Sequence, residues 1–145
     1  MRALAIDYGT KNIGVALSDE DGFVAGVLGN IANYGELPTA KRIIEMIDMY
    51  KVDTVVLGFP YTYRETVIEE GKLTKQIRRL RSFLEERTKV KVEYWDESYS
   101  SQIVEKNLRG KAKAKSDSEA ARLILQEYLD HKIMMKRIEE RNKQT

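Results

Sequence analysis

Two rhythms of hydrophobic and polar positions alternate along this chain of 145 residues. Residues 2–8, R-A-L-A-I-D-Y, are a nearly continuous apolar run, the pattern of a strand buried on both faces. After a turn at residues 9–12, I-G-V-A-L-S predicts a second strand and residues 22–31, G-F-V-A-G-V-L-G-N-I, a third. Turns this short favour an antiparallel meander. The rhythm then turns helical. Pro38 suits the first turn of a helix, and Ile43, Ile44, Ile47 and Tyr50 form its apolar stripe. D-T-V-V-L-G-F-P, residues 53–60, is a β-branched run closed by Gly and Pro and reads as a fourth strand, with a loop of about a dozen residues after it. Leu73, Ile77, Leu80 and Leu84 recur at helical spacing, residues 90–95 predict a fifth strand, and residues 101–108 a short helix. Ser116-x-x-Glu119 has the form of a capping box opening a long final helix, whose stripe is Ala121, Ile124, Leu125, Tyr128 and Leu129.

The predicted order is β-β-β-α-β-α-β-α-α: a hairpin-built half followed by strand–helix crossovers, hence an α/β protein with a mixed five-stranded sheet flanked by helices. That is the element order of the ribonuclease H-like fold, although other folds fit it loosely. Neither linker nor internal repeat interrupts the pattern. Residues 1–135 are expected to form one domain, and residues 136–145 a charged tail that frays.

Composition narrows the chemistry more than the fold. With no cysteine, a thiol nucleophile, a disulfide framework and a thiolate zinc site are all excluded, and with His131 as the single histidine so is any site needing two imidazoles. The N-terminus lacks a signal-peptide pattern and no apolar run is long enough to span a membrane, so a cytoplasmic, soluble protein is expected. Catalysis would have to come from carboxylates, lysines, hydroxyls, backbone or a metal. The net charge of +2 conceals segregation: −5 over residues 1–71, +6 over 72–92, −3 over 93–108 and +4 over 109–145. This is either a positive track beside a negative pocket, as in a protein that binds phosphates and holds a cation, or two ordinary solvated helix faces.

Three acidic positions stand out. Asp7 ends an apolar central strand, where a carboxylate is costly unless hydrogen-bonded or bound to a cation. Gly9 permits a tight turn or a close approach by ligand, and Thr10 and Lys11 follow at once. Asp96 and Glu97 sit at the carboxyl end of the fifth strand, where α/β sheets place ligands, but Asp, Glu and Ser there are equally turn and capping material. Asp117 falls in the first turn of the predicted last helix, where an acid also complements the macrodipole. Lys111, Lys113 and Lys115 before it read as a phosphate-binding loop or a solvated linker. Together Asp7, Glu97 and Asp117 can be brought to one edge, and hard divalent cations bind through such carboxylates plus waters and phosphates. No glycine-rich nucleotide loop is present. His131 reads as a surface or capping residue, Trp95 as core or rim, and Tyr61 and Tyr63 as exposed loop residues able to stack on unpaired bases.

These residues carry a resemblance. D-Y-G-T-K-N-I-G-V-A-L-S-D, V-V-L-G-F-P, W-D-E-S-Y-S-S and K-S-D-S-E-A-A-R-L-I-L-Q-E-Y-L-D, in that order, are similar to the motifs of the YqgF family, also called RuvX. These are small RuvC-like proteins of ribonuclease H-like fold, described as Holliday-junction resolvases and as pre-16S ribosomal RNA nucleases. The match runs from about Met1 to Asp130. The resemblance implies a nuclease dependent on Mg²⁺ or Mn²⁺, whose metal-binding acids fall on Asp7, Glu97 and Asp117 and whose motif lysines fall on Lys11 and Lys115. Ser98 departs from it, standing where the family usually has an arginine able to clamp a phosphate, and so do Phe59 and a longer loop after Pro60.

The expected reading is metal-dependent hydrolysis of structured nucleic acid, with a ribosomal RNA precursor ahead of branched DNA as substrate. Asp7, Glu97, Asp117 and Lys11 would be catalytic, and Lys75, Arg78, Arg79, Lys111, Lys113 and Lys115 would bind the flanking backbone. The working unit is open between a monomer and a weak homodimer, with no membrane role. A non-catalytic ribosome-assembly factor is the rival that Ser98 favours. An ATP-dependent phosphotransferase, suggested by D-x-G-T, would need a second domain for which the chain leaves no room.

Overall fold

The computed structural model describes residues 1–60, 71–96 and 113–144, with residues 113–116 described by their backbone. Five strands form one sheet: β1 (Ala3–Tyr8), β2 (Asn12–Ser18), β3 (Ala25–Ala32), β4 (Thr54–Phe59) and β5 (Lys91–Asp96), in the spatial order β3-β2-β1-β4-β5. β1, β2 and β3 are an antiparallel meander, whereas β1, β4 and β5 run parallel. The helices are α1 (Glu36–Tyr50), α2 (Lys72–Arg87) and α3 (Lys113–Lys143). The expected short helix over residues 101–108 lies outside the described residues, as do Tyr61 and Tyr63.

Strand alternation sorts the core into two layers. Leu4, Ile6 and Tyr8 of β1, Ile13 and Val15 of β2, and Val55, Leu57 and Phe59 of β4 pack with Ile43, Ile47, Ile77, Leu80 and Leu84 of α1 and α2. The opposite face, with Ala3, Ala5, Ala16 and Val56, receives Ala121, Ile124, Leu125, Tyr128 and Leu129 of α3. Alanines on this face let the one helix lie close to the sheet. β4 is buried at every position because both layers cover it, and its unbroken apolar run suits that place.

Two boundaries differ from the sequence pattern. β3 starts at Ala25, not Gly22, because Gly22 takes φ 76° in a turn whose amides at Phe23 and Val24 donate to the Asp19 carboxylate at 2.8 and 3.1 Å. α3 starts at Lys113, so Ser116 lies inside the helix and the capping box does not form. Alanine and lysine are strong helix formers, and K-A-K extends the helix upstream; Glu119 pairs instead with Arg122 at 3.0 Å. Asp117 is therefore past the first turn, and Lys113 and Lys115 are helical rather than part of a loop. α3 continues through Lys136 to Lys143, exposed from Met134 onward.

Candidate active site

The parallel arrangement puts the carboxyl ends of β1, β4 and β5 at one edge of the sheet. α1 and α2 begin there as well, since Gly35, Glu36 and Lys72 share a cleft of about 270 Å³ with Tyr8 and Thr10. The amino end of α3 arrives at the same edge on the other face, against β2. Three helix amino termini thus bring their partial positive charge to the place where the candidate acids stand.

Asp7 is half-buried one residue before the end of β1. Alternation puts it on the face of Ala3 and Ala5, which is the face of α3. Its antiparallel partner is Gly14. A Cβ on Gly14 would overlap the backbone carbonyl of Asp117 and lie 2.7 Å from the amide nitrogen of Ser118. The missing side chain is what lets the Asp117 backbone seat directly beside the strand pair that carries Asp7. Two of the three candidate acids, distant in sequence, are thereby brought to one place. Asp96 ends β5 at the same edge, exposed and in register with Phe59. Glu97 and Lys111 lie outside the described residues. Among the described residues, no group of three acids or histidines forms a metal cage.

Lys11 is exposed in the β1–β2 turn. The turn is closed by the Gly9 amide donating to the Asn12 carbonyl at 3.0 Å, and a Cβ on Gly9 would strike that same carbonyl. Tight turning, then, accounts for this glycine. Asn33, which the sequence pattern did not single out, holds the turn in place. Its side-chain amide donates to the Gly9 carbonyl at 2.8 Å, its backbone amide donates to the Lys11 carbonyl at 2.9 Å, and its Oδ1 accepts from the Gly35 amide at 2.9 Å and the Tyr8 hydroxyl at 3.2 Å. Burial raises the Tyr8 phenol above its ordinary value, so it stays a neutral donor in this clamp. The N-Y-G turn sequence ahead of α1 was the available signal.

The basic residues of α2 divide. Arg79 turns to α1, where it meets Glu36 at 3.3 Å, and is partly neutralised there. The Arg78 guanidinium lies 5.0 Å over the Phe59 ring and 6.0 Å from that of Tyr94, close to the carboxyl edge. Lys75 is exposed one turn nearer the amino end of α2.

Comparison with known proteins agrees with this architecture. Residues 1–131 match the family model of RuvX, described as Holliday junction resolvase. A Geobacillus sp. (strain WCH70) protein named "Putative pre-16S rRNA nuclease" is 40% identical over 144 residues, covering 91% of this chain and 99% of its own. A Bacillus subtilis (strain 168) protein of the same name is 38% identical over 142 residues, covering 90% and 98%. Among solved structures, Thermus thermophilus RuvC in complex with a Holliday junction superposes with a TM-score of 0.60 at 14% identity, covering 92% of this chain and 96% of that one. The yeast mitochondrial resolvase Ydc2 gives 0.56 at 14% identity, covering 98% and 83%. At such identities these structures speak for the fold, which is ribonuclease H-like. With the family model spanning nine-tenths of its length and relatives this similar end to end, the chain belongs to the RuvX family.

Proposed function

We propose that this protein is a metal-dependent endonuclease that hydrolyses phosphodiester bonds in structured nucleic acid, and that its task is 5′-end processing of the 16S ribosomal RNA precursor. The observation that carries the reading is the seating of Asp117 against Gly14, the strand partner of Asp7, at the edge where the three described helices begin. The names of the 40% and 38% identical relatives support a ribosomal RNA precursor as substrate. A four-way DNA junction is the alternative that the family description favours.

The donor set fits a hard cation. Carboxylate oxygens supplied by Asp7 and Asp117, joined by Glu97, suit Mg²⁺ or Mn²⁺, and the chain has no thiolate to favour a softer ion. When bound, such an ion neutralises phosphate charge and makes water a competent nucleophile at neutral pH. The chain's own residues do the positioning. Half-burial limits how far the Asp7 carboxylate can swing. Lys11, on a turn pinned by Asn33, offers its ammonium to the scissile phosphate. The helix amino termini favour the anionic backbone at this edge, while Lys75 and Arg78, with Lys111, Lys113 and Lys115, hold the flanking phosphates.

The test is cleavage of a labelled 16S precursor spanning the leader junction and of a labelled four-way DNA junction, each with Mg²⁺, with Mn²⁺ and with chelator. The expected result is metal-dependent cutting of the RNA that Asp7→Asn abolishes while binding persists. Undiminished cleavage by that variant would overturn the assignment of Asp7. Cutting of the junction alone would transfer the substrate to DNA, and binding without cutting in every metal would favour a ribosome-assembly factor.

A further inference from the structure

β5 closes one side of the sheet, and a groove of about 450 Å³ runs along it. Its walls include Arg81, Tyr94, Trp95, Tyr128, His131 and Lys132. Three of the aromatic groups, on the α3 side of β5, are held in fixed relation to one another. Trp95 meets Tyr128 edge-on at 5.7 Å, its indole N–H donates to Glu127 at 3.2 Å, and the exposed His131 ring lies 5.4 Å from it. Cations flank the rings, with Arg81 4.5 Å over Tyr94 while its Nε donates to Glu85 at 3.0 Å, and Lys132 5.4 Å over Tyr128. The one acid in the groove wall, Glu93, is met by Lys91 at 2.8 Å and Lys132 at 3.6 Å. Tyr94 and Trp95 immediately precede Asp96, so the groove lies beside the strand end at the candidate catalytic edge.

Aromatic faces interleaved with cations along a groove are what an unpaired strand needs: surfaces on which bases stack, and positive groups that follow its phosphates. A paired helix cannot use the rings, because its bases are stacked on each other. We infer that the β5 groove is a binding site for a single-stranded segment next to the scissile bond, with bases on Trp95 and His131 and phosphates on Arg81 and Lys132. The substrate class is therefore nucleic acid that is unpaired on one side of the cut. This inference rests on the nuclease reading for its biological setting, and on the groove itself for its chemistry.

Trp95 is the sole tryptophan, so its emission reports on the groove directly. Chelated protein would be titrated with oligouridylate and oligothymidylate of about 12 nucleotides, and with a blunt RNA duplex of that length. Saturation by single strand should quench the Trp95 emission, and saturation by duplex should not. Anisotropy of a labelled single strand should show His131→Ala weakening binding about fivefold or more, the lower end of what one stacked base contributes, and Lys132→Ala weakening it with a shallower salt dependence, as loss of a phosphate contact requires. Trp95→Phe should weaken it as His131→Ala does, with His131→Ala as the control for any loss of folding, since His131 is exposed. Quenching by RNA alone would confine the groove to RNA, and quenching by both would assign it to unpaired strands in general. Unchanged emission at saturation, equal quenching by duplex, or wild-type affinity in both His131→Ala and Lys132→Ala would overturn the inference. Because no metal or cleavage enters this measurement, it can fail while metal-dependent cutting stands, and the converse.

Discussion

At the scale of single residues, Gly14 matters as much to the candidate site as any acid. A glycine inside an apolar strand signals a bulge or a close backbone approach, and here the Asp117 backbone makes that approach. Gly14→Ala would push α3 off the sheet where it positions Asp117. Overpacking of this kind costs about 1–3 kcal/mol, and the clash is with backbone, so the upper end is expected. Thermal melting should show the destabilisation. Cleavage should fall further than the unfolded fraction explains, because the two aspartates would separate. A variant as stable and active as the parent would contradict the close approach. The acids are candidates on residue type and placement alone, whereas the reason for Gly14 lies in α3, far along the chain, and no local pattern announces it.

At the scale of elements, β5 is tied to α3 through Glu93, whose carboxylate faces Lys91, Lys132 and the Tyr128 hydroxyl. Burial alone would raise its pKa, but those three partners outweigh burial and hold the carboxyl below its ordinary value of 4.5. Burial and the Glu93 charge together raise the Tyr128 phenol, which keeps it a donor. A carboxyl depressed in the folded state contributes stability that is fully present above its unfolded pKa and is lost as pH falls through the folded value. The gap in melting temperature between the parent and Glu93→Gln should therefore be constant above about pH 5.5 and shrink as pH drops below 4.5. A gap independent of pH would remove Glu93 from this role. Most elements were readable from periodicity alone; the strands and helices follow their apolar repeats to within a few residues. The start of α3 was not, because the Ser116-x-x-Glu119 spacing matches a capping box equally well in a loop and inside a helix. Propensity decided between them.

At the scale of the whole molecule, the charge segregation acquires a geometry. The basic stretch over residues 72–92 becomes α2 and the start of β5, and its cations divide between the carboxylates of Glu36, Glu85, Glu86 and Glu93, the aromatic rings and solvent. If Lys111, Lys113 and Lys115 neutralise phosphates, replacing all three with alanine should weaken nucleic-acid binding at every sequence. It should also flatten the salt dependence of the affinity, by about 0.7–0.9 in the logarithmic slope for each phosphate no longer neutralised. An unchanged slope would remove them from the interface. The residue sequence by itself determined the order of the described strands and helices, the two-faced burial of β1, the exclusion of thiol chemistry and of any site needing two imidazoles, and the family. Those follow from local periodicity, residue type and motif order, all of which are written along the chain. Tertiary structure alone decided that the Asp117 backbone seats against Gly14, the strand partner of Asp7, that Asn33 locks the Lys11 turn, and that Trp95 and His131 share a groove with Lys132. Each joins residues from different elements, and such meetings depend on strand register and helix seating, which no local pattern encodes.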